Sequence, residues 1–183
     1  MYNKYFKGST VFSNENNYID YKFILKEIEN RNKKIKNLNL IYRATRDGDQ
    51  INNFYDKCSN IKDIILLIKS ENNAKFGGYT KVGFKKVNGG ELYKDNSAFV
   101  FSFDKKKIYP VKKDLDAIRC CGCCCPQFYN CTIYLYGQFL SKRENFVGEI
   151  KDNYEGFSSN YELNNGSKNF KALEIEVYQI LFE

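Results

Sequence analysis

Along residues 97–103 (SAFVFSF) phenylalanines alternate with small residues. Phe99, Phe101 and Phe103 share one face and Ala98, Val100 and Ser102 the other, the period of a β-strand. The small face implies a second layer packed closely over it, a sheet or a helix. In residues 76–84 (FGGYTKVGF), Phe76, Tyr79, Val82 and Phe84 supply a second apolar strand-like stretch. Gly77 and Gly78, lacking Cβ, suit close backbone approach or a positive φ, and are expected to mark a bulge or tight bend. Residues 61–68 hold five consecutive aliphatics, Ile64 to Ile68, which predicts a central strand covered on both faces and joined by a hairpin to the next.

Outside this centre the pattern changes. Tyr5, Phe6, Val11 and Phe12 suggest a strand or arm laid on the domain. From Asp20, a potential cap, Phe23, Ile24, Glu27, Ile28 and Arg31 recur at helical spacing, continued by Ile35 and Leu38. This basic amphipathic helix suits either packing on the sheet or binding a partner, the former being favoured. Residues 40–44 predict a short strand ended by Arg46, Asp47 and Gly48, and Asp49 a cap for a helix over 50–57 with Ile51, Phe54 and Tyr55 on its apolar face. Residues 91–96 read as a connection carrying Tyr93, and 108–111 as a strand in which Pro110 suits an edge or an end. A short strand is expected over 132–136 and a long, loop-rich region over 137–169. In residues 170–181, Leu173, Ile175 and Val177 alternate with Ala172, Glu174, Glu176 and Tyr178, a half-buried closing strand whose two glutamates face solvent. The whole predicts a mainly β, α+β fold: a two-layer antiparallel sandwich with flanking helices.

Composition fits that picture. A chain of 183 residues buries roughly 70% of its unfolded surface as one domain. Fifteen Phe, fifteen Tyr and only two Pro argue against disorder. No apolar run is long enough to cross a membrane, and the N-terminus lacks the apolar core of a signal peptide, so a cytoplasmic, soluble chain without membrane insertion is expected. Seven Cys, mostly crowded together, fit reducing conditions better than a disulfide framework. The formal charge of +7 favours an acidic partner. Nucleic acid is disfavoured, since zinc-finger, GxxG and basic recognition-helix patterns are missing, although the basic segment at residues 31–36 can touch phosphate.

Chemistry is constrained by the absence of His from the sequence, which excludes His relays and His metal sites. GGYTKVG lacks the GKS or GKT of a Walker loop. Arg43 and Arg46 with Asp47 suit either an anion site or an ion pair fixing the strand-to-helix corner, the latter being simpler. Glu174 and Glu176 share a face as a hydrolytic carboxylate pair would, but without a recognisable pocket they read as solvated. The run RCCGCCCPQFYNC offers candidate thiols Cys120, Cys121, Cys123, Cys124, Cys125 and Cys131. Their CxxC spacings admit structural metal, and Arg119 could lower a thiol pKa for redox chemistry. The crowding favours small residues in a loop or β segment, and neither cofactor nor metal is expected.

Six segments taken together carry a resemblance: LIYRATRDGD from Leu40, FYDKCSN from Phe54, IILLIKS from Ile64, KFGGYT from Lys75, NSAFVFSF from Asn96 and FKALEIEVYQI from Phe170. In order and spacing they resemble the TLDc domain family over residues 38–183, preceded at residues 1–37 by the arm and basic helix, a lead-in like that of protist members. The resemblance implies a β-sandwich with flanking helices, a protective role in oxidative stress as in the animal oxidation-resistance proteins, and binding to peripheral subunits of the vacuolar proton-pumping ATPase. It implies a noncatalytic interaction domain, with a thiol-dependent antioxidant enzyme as the alternative. The chain departs from animal members at residues 121–130, where cysteines replace a glycine-rich stretch, and at Tyr178, where those members carry Trp.

Overall fold

The computed structural model describes residues 5–12, 18–122, 126–129, 131–149 and 153–183. Their order is α1 (Tyr18–Arg31), β1 (Ile35–Arg43), α2 (Ala44–Asp47), α3 (Ile51–Cys58), β2 (Ile64–Ser70), β3 (Lys75–Thr80), β4 (Gly90–Lys94), β5 (Phe99–Ser102), β6 (Lys107–Pro110), β7 (Asp116–Cys121), β8 (Gln127–Phe128), β9 (Ile133–Tyr134), β10 (Asn145–Val147), β11 (Asn169–Phe170) and β12 (Ala172–Phe182). Two six-stranded sheets form, ordered β1-β12-β2-β3-β5-β6 and β11-β10-β9-β8-β7-β4, with neighbouring strands antiparallel. The expected α+β sandwich is what the chain adopts.

Alternation along β2 and β5 sends side chains into two separate cores. Leu66, Phe76, Val100 and Val177 of the first sheet meet Ile118, Phe128, Ile133 and Phe170 of the second. On the far face of the first sheet, Ile65, Leu67, Tyr79, Phe99, Phe101 and Phe103 pack under Tyr21, Ile24, Leu25 and Ile28 of α1 and under Phe6, Val11 and Phe12 of the N-terminal arm. The central strand is therefore covered on both faces, as its unbroken aliphatic run requires. The three phenylalanines face the helix and arm, while Ala98 and Val100 face the second sheet.

Several boundaries move for identifiable reasons. α1 starts at Tyr18, so Asp20 lies inside it, and it stops at Arg31. There the Asn32 side chain donates to the Ile28 carbonyl (3.0 Å), satisfying a helix-end acceptor. Ile35 and Leu38 instead enter β1, whose ladder with β12 runs from Ile35 to Arg43. Gln50 caps α3 in a capping box with Asn53, while Asp49 accepts from Ser141 Oγ (2.6 Å). Residues 90–94 form the edge strand β4; with Leu92 46% exposed, it lacks the buried alternation that marks a strand in sequence. The strand expected at 132–136 contracts to β9. The 137–169 region is not a bare loop: Phe139, Val147, Tyr154 and Leu163 lie in the core between the sheets.

Gly77 and Gly78 are neither bulge nor bend, since they sit in unbroken register between β2 and β5. Close approach explains them. A Cβ on Gly78 would lie 2.3 Å from the Phe128 ring of the opposite sheet, and one on Gly77 would meet the Leu66 carbonyl oxygen at 1.9 Å. Gly78→Ala should therefore cost about 1–3 kcal/mol by overpacking, read as a lower denaturation midpoint at unchanged m.

Glu162, in a 3-10 turn at Glu162–Asn164, ties the late loop down. It accepts from Tyr109 Oη (2.9 Å) and from the Ser158 and Ser159 amides (2.6 and 3.3 Å). Burial pushes this carboxyl up, but those donors together with Lys107 outweigh it and hold the group below the ordinary 4.5. The unfolded chain thus binds this proton more readily, and stability rises with pH through that window. The stability lost in Glu162→Gln should be complete above pH 4.5 and shrink as acid protonates the native carboxylate, in denaturation series run at stepped pH.

Candidate functional site

β12 is the longest described strand and lies between β1 and β2, so whatever its outward face carries must be covered. Glu174 and Glu176 are on that face, and the solvent-facing expectation fails: they are 4% and 0% exposed. The arm covers them, bringing Lys7, Gly8, Ser9 and Thr10 between the apolar pairs Tyr5–Phe6 and Val11–Phe12.

Each carboxylate is met by donors. Glu176 Oε1 accepts from the Thr10 amide (2.9 Å) and from Arg43 Nη2 and Nε (2.8 and 3.0 Å). Its Oε2 accepts from Ser9 Oγ (2.5 Å) and Tyr178 Oη (3.1 Å). Glu174 Oε2 accepts from Thr45 Oγ1 (2.5 Å), and its Oε1 from the Thr45 and Ile175 amides (3.2 and 3.0 Å). The Thr10 hydroxyl lies 2.9 Å from Glu174 and 3.2 Å from Glu176 and bridges the pair with its one hydrogen. Arg43, directly opposite Glu176 across β1 and β12, also donates to the Gly8 carbonyl (2.6 Å). Burial, then the neighbouring Glu176 charge, pushes the Tyr178 phenol up, so it stays a donor at neutral pH.

The arm is held by a near balance. Its four buried apolar side chains contribute about 1.5–3 kcal/mol each, while ordering the backbone of residues 5–12 costs about 1–2 kcal/mol per residue. Hydrogen bonds to the two glutamates therefore decide whether it docks. Gly8, Ser9, Thr10 and Thr45 had no motif to announce them; the arm's one trace in sequence is Lys-Gly-Ser-Thr between two apolar pairs.

The remaining candidates are structural in their surroundings. Asp47 accepts from the Arg43 amide (2.9 Å) and from Arg46 Nε and Nη2 (2.9 and 2.6 Å). The Arg46 hydrogen bond foremost holds that carboxyl below the usual aspartate range. Both guanidinium groups thus face carboxylates of their own chain at the corner, and Gly48 turns it at φ 104°. Phe76 meets Phe170 edge-on at 5.3 Å; Phe12 does the same to Phe103 at 4.7 Å. Tyr79 donates to Asp63 (3.1 Å) and accepts from Asn32 (3.1 Å).

Cys120 is fully buried, its sulfur accepting from the Lys85 amide at 3.3 Å, and burial pushes its thiol up. Cys121 is buried too. Arg119 acts on half-buried Cys131, with Lys168, but burial outweighs both and that thiol is also raised. The expected lowering by Arg119 is therefore outweighed at Cys131, burial raises Cys120 against the lowering by Lys85, and both thiols are protonated at neutral pH. Cys123, Cys124 and Cys125 lie outside the described residues. Among the described residues, no group of three or more His, Cys, Asp or Glu is placed to hold a metal, and no helix is long and apolar enough to cross a membrane.

Two antiparallel sheets sharing one core, with a helix and an arm sealing the outer face of the first, define an α+β sandwich whose buried polar site is filled by its own chain. The chain belongs to the TLDc domain family, whose domain matches residues 7–181, a span that takes in Ser9 and Thr10 as well as Glu174 and Glu176. No curated protein matches it.

Replacing Arg43 with Met strands the Glu176 charge in a covered site. Arg43→Met should cost about 3 kcal/mol, read by urea denaturation, whereas Arg46→Met at the more exposed corner should cost under about 1 kcal/mol.

Proposed function

We propose that this chain is a noncatalytic protein-interaction domain of the cytoplasm that binds peripheral subunits of the vacuolar proton-pumping ATPase, regulates the pump and contributes to protection against oxidative stress. Family membership supports this reading, and the helix ahead of β1 is the ground for proposing a protist-type member. The observation that carries the noncatalytic part is the fate of the paired glutamates. Their oxygens are occupied by Ser9, Thr10, Arg43, Thr45 and Tyr178, which builds a tie between strand and arm instead of a base facing a substrate. A surplus of seven positive charges steers the domain toward acidic faces of a partner. The thiol-dependent alternative has less support, because burial keeps Cys120 and Cys131 protonated.

Affinity capture of the tagged chain from lysate of its own cells, followed by mass spectrometry, tests the proposal. Peripheral pump subunits at near-stoichiometric yield are expected; their absence at that yield overturns the pump assignment.

A further inference from the structure

The N-terminal arm is attached as a bound peptide is attached. None of residues 5–12 belongs to a strand or helix; their backbone makes a turn closed by Ser9 N–H to Phe6 C=O (3.0 Å). To the body the arm offers groups a foreign segment could equally bring: the Thr10 amide and the Ser9 and Thr10 hydroxyls to the glutamates, the Gly8 carbonyl to Arg43, and the Tyr5 hydroxyl to the Ile35 carbonyl (2.9 Å). Phe6 sits edge-on to Tyr178 and Tyr21 at 4.9 and 5.1 Å, and Phe12 against Phe103.

Part of the bed is held from beneath, by groups outside the arm. Without residues 5–12, Glu174 is still held by Thr45 and the Ile175 amide, and Glu176 by Arg43 and Tyr178. A charged floor held from beneath and flanked by aromatic side chains, Tyr21 and Tyr178 against Phe6 and Phe103 against Phe12, is the anatomy of a peptide site. We propose that it is one: an interaction surface filled in cis by the chain's own arm, and in trans by a partner segment of the same chemistry. That segment carries two hydroxyl residues in a glycine-bearing turn, flanked on each side by large apolar side chains. This rests on the interaction-domain reading and names the surface.

Selectivity follows from the floor. Two carboxylates accept hydrogen bonds and repel anions, so a segment with Asp, Glu or phosphate in place of the hydroxyls is refused. Gly8 adopts φ 75°, so the partner's turn favours glycine there. The tether raises the arm's effective concentration, which keeps the site closed until the arm is loosened or outcompeted.

The probe is a fluorescein-labelled peptide of residues 5–12 (YFKGSTVF), titrated by anisotropy against the full chain and two full-chain variants. Phe6→Ala removes an anchor; Ser9→Asp sets a carboxylate against Glu176. Hydrogen exchange of the arm amides and thermal melting accompany each titration. Both variants should melt cooperatively, exchange their arm amides faster, and bind the peptide at least about tenfold more tightly than the unaltered chain, while a peptide carrying Ser9→Asp should not bind. Three results overturn the proposal: loosened, folded variants that ignore the peptide, arm amides that stay protected in both variants, or loss of cooperative melting, which would make the arm an inseparable part of the core. Failure here leaves the pump assignment standing, and failure of the capture experiment leaves the peptide site standing.

Discussion

A sheet apolar on both faces cannot leave either one in water, and this constraint organises the molecule. β2 sends Leu66 to one side and Ile65 and Leu67 to the other, and β5 divides Val100 from Phe99 and Phe101 in the same way. One side is satisfied by the second sheet. The other has only α1 and the arm within the described residues, so the chain's first part is recruited as a lid for strands that come far later in sequence.

That cover creates the polar problem the arm then solves. β12 alternates Ile175 and Val177 toward the sandwich with Glu174 and Glu176 toward the arm, and a buried carboxylate is costly unless donors surround it. Arg43 supplies the charge, and Ser9, Thr10, Thr45 and Tyr178 supply the hydrogens. Apolar burial alone nearly cancels the entropy of ordering the arm, so these bonds set both its position and the ease with which it can leave. The same arrangement that stabilises the strand offers a recognition surface.

Periodicity made much of this fold legible. The five aliphatics of β2, the alternating phenylalanines of β5 and the alternation of β12 each point to one strand, because local pattern and burial agree there. The helix-to-strand change near Asn32 was hidden because Ile35 and Leu38 fit both periods, and pairing with β12 decides between them. β4 was hidden because an exposed edge has no buried face to reveal. The glutamates were misplaced because period two tells which residues share a face but not what lies on it; the cover comes from residues more than 160 positions away. Asp95 was missed for a related reason, since its bonds to Thr80 Oγ1 (2.8 Å) and the Lys81 amide (2.7 Å) arise only once β3 and the turn before β5 are side by side.

The most direct test is a double-mutant cycle between the arm and β12, using Ser9→Ala, Glu176→Gln and the pair together, with unfolding free energies from urea denaturation. If the hydroxyl and carboxylate meet as described, the two changes couple by about 1–2 kcal/mol. Additivity within about 0.3 kcal/mol would mean that the arm does not rest on the carboxylate and that the outer face of the sheet is sealed some other way.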